Sequence, residues 1–585
     1  MNALKRLLPY LKPYRAQIIL GAIVVLFNNS LTALEPWLLK LAVDSFGKNA
    51  SLPLLGKYAT LIVAVALVAG VLRFYLRKIL IGVSRHVELD MRNDIFAHLQ
   101  RLPAAFYNRN RTGDIMARTT SDLESVRMVL GPGIMYPMDT FTIAMFSLIM
   151  MLLISPKLTL LVFLIAPAVS LSVFYLGRLT YKLHTRIQEQ FSAMSDRAEE
   201  NLAGVRVVRS FAQEEREIAA FDELNQEYVK RNIAMTRVQA LFMPVMGFLF
   251  QVGTAIILLL GGRAIIHEEL TLGGFVAFVG YLGMLAWPMV AVGWVANLFQ
   301  RGAASMKRIS AILETEPEIS QPAKSRVPEH IRGEIIFDHV SFRYGEQNNS
   351  LAELNFSIPA GSTVAIVGRT GSGKTTLISL IPRLFDPTDG QVLIDGVPTS
   401  EWDLKALRDA VGVVPQDSLL FSDTLRANIH FGSENADDEA MSAITEISQI
   451  AKDVSEFPRG YDTIVGERGL TLSGGQKGRT ALARALLKDP KILILDDALS
   501  AVDTQTEEQI LKGLREFMDG RTSIIISHRV STVKYADEIL VLDEGRIIER
   551  GTHDELLTMA GYYAELDRMQ RLEAELEQLE PDGQD

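Results

Sequence analysis

The chain has 585 residues, too many for one hydrophobic core, so at least two domains are expected. Hydrophobic residues make up 48% and charged residues 22%, with a mean hydropathy of +0.17; this balance points to membrane spans, and the net charge of −10 argues against a nucleic-acid binder. There is no cysteine, which excludes disulfides, thiolate metal sites and cysteine nucleophiles.

The opening MNALKRLLPYLKPYR is basic and amphipathic, and no small-residue cleavage site follows the next apolar run, so an interfacial helix is expected and not a signal peptide. Six apolar stretches are long enough to cross about 30 Å of hydrocarbon, at residues 17–43, 57–81, 131–154, 158–176, 241–265 and 272–298. The connections after the second and fourth are long and rich in arginine, among them Arg85, Arg92, Arg101, Arg109, Arg186, Arg197, Arg206 and Arg209. The positive-inside rule places these connections and both termini in the cytoplasm. Both keep helical periodicity, so membrane helices are expected to run on as arms of about 25 residues, reaching roughly 35–40 Å. They should turn back near residues 108–114 (NRNRTGD) and 204–211 (GVRVVRSF); a solvated charged hairpin is the plain alternative at each. Glu35 and Asp139 fall within or near spans, where an ionisable residue is a candidate for a transport pathway, while Asn28, Asn29 and Gln251 equally suit contacts between helices.

The pattern changes after Arg308. The expected division is a transmembrane domain at 1–308, a Pro- and Glu-rich linker at 309–332, an α/β domain at 333–568 and an acidic tail at 569–585 with no assigned chemistry. In the third part, short apolar runs (EIIFDHVSF, STVAIV, QVLIDG, VGVVP, KILILDD, TSIIISH, EILVLDEG) alternate with helical segments, as in a mostly parallel sheet.

One run, STVAIV, leads into Gly368, Arg369, Thr370, Gly371, Ser372, Gly373, Lys374, Thr375 and Thr376, which fit G-x-x-x-x-G-K-[ST]. A strand, a glycine-rich turn and a helix leave backbone N–H groups facing one concavity suited to nucleotide phosphates; Lys374 reaches the β/γ-phosphates and Thr375 ligates Mg²⁺. KILILDD delivers Asp496 to the same Mg²⁺. LSGGQ, with Ser473, Gly474, Gly475 and Gln476 ahead of a helix, is a second candidate phosphate site. Gln416 can meet Mg²⁺ or the attacking water, His528 the γ-phosphate, and Tyr344 an adenine ring; Asp503 is a candidate for a subunit interface. For Gln416, His528 and Tyr344 taken singly, a structural role is the commoner reading.

Taken together, six spans, the phosphate loop, LSGGQ and the Asp-bearing strand after it closely resemble the half-transporters of the ATP-binding cassette (ABC) exporters, across nearly the whole chain. The resemblance implies a helical transmembrane domain fused to an α/β nucleotide-binding domain, and an ATPase coupled to export of hydrophobic or amphipathic drugs or lipids across a bacterial cell membrane. It makes Tyr344 the adenine-stacking aromatic, residues 368–376 the Walker A loop, Gln416 the Q-loop, residues 473–476 the signature, Asp496 the Walker B aspartate, Asp503 the D-loop and His528 the switch histidine. ATP and Mg²⁺ are the implied ligands, a second half-transporter and the bilayer the implied partners. The two turns become coupling helices, and VGERG at 465–469 the loop that meets them.

One position departs. Hydrolytically active members carry Glu after the Walker B aspartate, as base or orienting group, where this chain has Asp497. The carboxylate is displaced by about 1 Å, which can slow a reaction about 100-fold. Beside an intact signature, this resembles the subunit of a heterodimer that contributes the weak Walker site. A slow homodimer, and a nucleotide-gated channel or regulatory protein, are the alternatives; the spans exclude a soluble DNA-repair ATPase.

Overall fold

A computed structural model describes residues 2–46, 51–163, 166–322, 324–345, 350–433, 435–466, 469 and 471–579. The chain divides into two compact units, Met1–Gln100 with Arg111–Thr315, and Arg101–Asn110 with Glu316–Asp585.

The first unit is helical. Residues 2–14 are helical throughout, as short 3-10 and α segments that run on into the first long helix, and Tyr10 and Tyr14 donate to Asp94 (2.8 Å) and Asp90 (2.9 Å). Long helices follow: α1 (Arg15–Phe46) and α2 (Leu52–Leu99). The short α3 (Ala104–Arg109) belongs to the second unit. Helices α4 (Pro132–Ile154), α5 (Ala166–Ala203), α6 (Val205–Ser210), α7 (Glu214–Ile266) and α8 (Leu272–Leu313) follow, with the shorter helices Thr112–Ala117 and Leu123–Leu130 between α3 and α4, and Pro156–Phe163 between α4 and α5. Five helical stretches among the described residues are long and apolar enough to cross a membrane; the expected fourth span, 158–176, runs over residues 164–165, which lie outside them.

The extended arms are continuous helix: α2 has 48 residues and α7 has 53. Glu214, Glu215 and Glu217 in the first turn of α7 favour its start by opposing the helix dipole, and Pro244 lies inside it. The first turning helix begins at Ala104, where Pro103 caps α3 in extended geometry, and ends within the charged 108–114 stretch, where Asn110 and Arg111 leave the helix. The second, α6, lies within 204–211. Helix α8 continues past Arg308 to Leu313, and Arg308 donates through Nε to the buried Asp122 at 2.6 Å.

Polar groups tie α1 to α4. The Asn29 amide donates to the Asp139 carbonyl and carboxylate, both at 3.0 Å, and to Thr142 at 2.6 Å. Asp139 is thereby held between helices, whereas Glu35 has no hydrogen bond or ion pair among the described residues.

The second unit contains two sheets. One is antiparallel, β2 (Leu351–Ile358), β1 (Ile335–Phe342), β4 (Asp389–Ile394) and β5 (Val397–Pro398) in that order. It adds β2, which the expected strands lacked, and buries Phe337 against Phe356 with centroids 4.6 Å apart. The other sheet has six strands in the order β10 (Arg546–Gly551), β9 (Glu538–Asp543), β3 (Thr363–Val367), β8 (Thr522–Ile526), β7 (Ile492–Asp496) and β6 (Val411–Val414). All its pairings are parallel except β9–β10. Burial on both faces explains the unbroken apolar runs of β3, β7 and β8. Their register aligns Ile366, Ile526 and Asp496 in one row, so three chain segments leave the sheet side by side. The tail from Met569 continues helix Tyr562–Leu579, and residues 580–585 lie outside the described residues.

We expect Asn29→Leu to cost about 1 kcal/mol, typical of an interhelical hydrogen bond inside a membrane. Thermal unfolding of the detergent-solubilised protein should show a lower midpoint, and an unchanged one would mean the contact contributes nothing.

Candidate nucleotide site

From the end of β3 the chain turns through 368–373 into helix α9 (Lys374–Leu380). Gly368 has no room for a side chain, since a Cβ there would run into the Leu542 carbonyl. The loop is braced by the Gly545 N–H, which donates to the Ser372 carbonyl at 3.0 Å.

Lys374 is only 7% exposed, and its ammonium donates to the carbonyls of Gly368 (2.8 Å) and Arg369 (2.9 Å). Burial pushes its pKa down, against the pull of Asp496 and Asp497. Asp496, 3% exposed, accepts from the Thr375 hydroxyl at 2.9 Å, and burial pushes its carboxyl pKa up. The Ser372 hydroxyl is buried without a hydrogen-bond partner among the described residues. A desolvated ammonium and an unpartnered hydroxyl on one loop, beside a desolvated carboxylate at the end of β7, fit a phosphate chain, whose oxygens would compensate the ammonium and the hydroxyl.

Lys374, Thr375 and Asp496 border a cavity of about 720 Å³ lined also by Tyr344, Ser350, Thr370, Gly371, Gly373, Thr376, Gln416, Asp497, Ile526, His528, Glu544 and Gly545. Tyr344 stands edge-on to Phe342 and Phe385, its hydroxyl 3.3 Å from the Thr376 hydroxyl, and it remains 38% exposed. Gln416 and His528 are also exposed. Asp497 sits in the left-handed region at φ 48°, its N–H donating to the Ile526 carbonyl at 2.9 Å. Ser350, Glu544 and Gly545 escaped the sequence reading; the DEG turn after β9 was the available signal for the last two.

The signature residues do not line this cavity. They start helix α10 (Gly474–Leu487) with a capping box: the Ser473 hydroxyl accepts from Gln476 N–H at 3.2 Å, and the Gln476 amide oxygen accepts from Ser473 N–H at 3.0 Å. The Gln476 NH₂ donates to Asp453 at 2.9 Å. Gly475 lies under the chain after β7, where an added Cβ would come within 2.9 Å of the Ala501 carbonyl. Asp503 caps helix α11 (Thr504–Met518), its carboxylate accepting from Thr506 N–H at 2.9 Å. In the VGERG loop, Val465 is buried, while Glu467 and Arg468 lie outside the described residues.

Residues 18–289 match the family model for the ABC transporter transmembrane region, and residues 351–500 the model described as ABC transporter. The chain belongs to the ABC transporters. It is similar to a probable multidrug resistance ABC transporter ATP-binding/permease protein, YheI, of Bacillus subtilis, with 39% identity covering 98% of each chain. It is 36% identical to an ATP-dependent lipid A-core flippase of Alkalilimnicola ehrlichii, covering 97% of this chain and 96% of that one. A solved bacterial Atm1-family ABC exporter with ATP bound superposes with a TM-score of 0.79 at 30% identity, covering 95% of this chain and 99% of that one. This ABC exporter therefore combines a helical membrane domain with an ATP-binding α/β domain, and its ATPase is coupled to transport.

Gly475→Ala should force the chain at Ala501 aside at a cost of about 1–3 kcal/mol. A drop in thermal midpoint together with lost ATPase in the purified transporter is the expected result; normal values for both would show that the contact relaxes freely.

Proposed function

We propose that this ABC exporter is one half of a heterodimer that moves amphipathic or hydrophobic molecules, drugs or lipids, out of the cytoplasm or the inner leaflet of a bacterial cell membrane. Both termini and the arginine-rich arms lie in the cytoplasm. The names of the Bacillus and Alkalilimnicola relatives support this substrate class.

Tyr344 stacks on adenine, the N–H groups of 368–376 and Lys374 hold the phosphates, and His528 contacts the γ-phosphate. Thr375, Gln416 and Asp496 hold Mg²⁺, which when bound neutralises charge on the β- and γ-phosphates. Ser473, Gly474, Gly475 and Gln476 serve a nucleotide held by the partner's phosphate loop. Their capping box supports this role, because it fixes the helix start in advance. Closure of two such domains on ATP biases the membrane helices from inward- to outward-facing. Of the two intramembrane carboxylates, Glu35 is the better pathway candidate, since Asp139 is engaged by Asn29.

The observation that carries the heterodimer is Asp497, a carboxylate one methylene short beside an intact signature. This chain's own loop then retains ATP while the partner's site, completed by 473–476, performs the turnover. A nearly inactive ATPase from the chain alone and a vigorous one with its partner are expected; vigorous turnover alone would favour the homodimer. Asp497→Glu should shorten about 100-fold the lifetime of ATP retained on this chain, as followed by the ATP-to-ADP ratio in rapidly quenched transporter. Uphill accumulation of a dye in inside-out vesicles separates an exporter from a nucleotide-gated channel.

A further inference from the structure

The imidazole of His528 makes no hydrogen bond among the described residues and stands exposed in the nucleotide cavity, so its position is set by its backbone. That backbone joins β8 to the short helix α12 (Val530–Val533). A helix leaves its first N–H groups without internal acceptors, and the residue before α12, Arg529, supplies no cap; its guanidinium pairs with the buried Glu507 instead.

The missing acceptor comes from the far end of the chain. In helix α13 (Tyr562–Leu579), the Gln570 side-chain oxygen accepts from Val530 N–H at 2.8 Å. The nitrogen of the same amide donates to the His528 carbonyl at 2.5 Å. Only a group with an acceptor and a donor side by side satisfies both, which makes glutamine chemically specific here.

Helix α13 is anchored for this task. Tyr563 is fully buried and its hydroxyl lies 2.8 Å from His553 Nδ1, while the Tyr562 and Tyr563 N–H groups donate to Glu549 at 2.5 and 3.2 Å. Leu566 packs in the cluster that contains Val530 and Val533. Residues 563, 566, 567 and 570 share one helix face, so the burial of Tyr563 and Asp567 and the partial burial of Leu566 direct the fourth. At the start of the helix, the guanidinium of Arg369 in the phosphate loop lies 5.8 Å from the centroid of the Tyr562 ring.

We propose that Gln570 is a positioning residue for His528, gripping the peptide groups on both sides of Arg529 so that the imidazole faces the terminal phosphate. This rests on the proposed contact of His528 with the γ-phosphate. Since ADP has no such phosphate, the clamp affects ATP and leaves ADP untouched, a discrimination that a merely structural contact would not produce.

The test uses the full-length transporter in membranes, with this chain photolabelled by 8-azido-ATP and the label competed by ATP or ADP. In Gln570→Met, which keeps length and removes both bonds, ATP should compete about tenfold less well, with ADP competition unchanged. His528→Ala should match it, and the double variant should be no worse than either. Equal weakening of ATP and ADP, or additive losses in the double variant, would overturn the proposal. So would unchanged ATP competition in Gln570→Met beside a loss in His528→Ala, an outcome that leaves the histidine contact standing. If His528→Ala itself competes normally, the histidine contact falls and the clamp falls with it.

Discussion

The nucleotide-binding unit is organised around two opposite charges kept out of water, the Lys374 ammonium and the Asp496 carboxylate. The first is met by carbonyls of its own loop and the second by the Thr375 hydroxyl. Neither partner fully offsets the cost of burial, which pushes the pKa of the ammonium down and that of the carboxyl up. A fold can sustain this only with a rigid frame. The row of Ile366, Ile526 and Asp496 across three parallel strands provides it.

Much of the site follows from that frame. Because β3, β7 and β8 end side by side, the loop at 368–373, the Asp496–Asp497 pair and His528 meet in one cavity although they are distant in sequence. The signature helix is built separately, with Gln476 committed on three sides to Ser473 and Asp453. Its first turn is thus fixed by contacts within the chain.

Contiguous features were legible in the sequence. The phosphate loop, the aspartate-bearing strand and the signature each sit within a few residues whose spacing alone dictates the local shape. Features assembled from distant segments were not. Nothing around Gln570 marks it, because its partners are backbone atoms of His528 and Val530, which carry no sequence label. The sequence leaves Asn29 open between a helix contact and a pathway group, and its engagement of Asp139 follows only from the packing of α1 on α4. The first turning helix begins at Ala104, ahead of the arginine-rich stretch it overlaps, because Pro103 fixes where α3 starts.

The long helix α7 has a mechanical consequence. From Pro244 back to Glu214 it is a rod of about 45 Å, and proline weakens the hydrogen-bond ladder at the pivot. A bend of about 5° there swings the distal end by about 4 Å. A hinge at Pro244 would thus become a lever at the other end of the helix, and a change too small to disturb side-chain packing near the pivot is magnified at the tip.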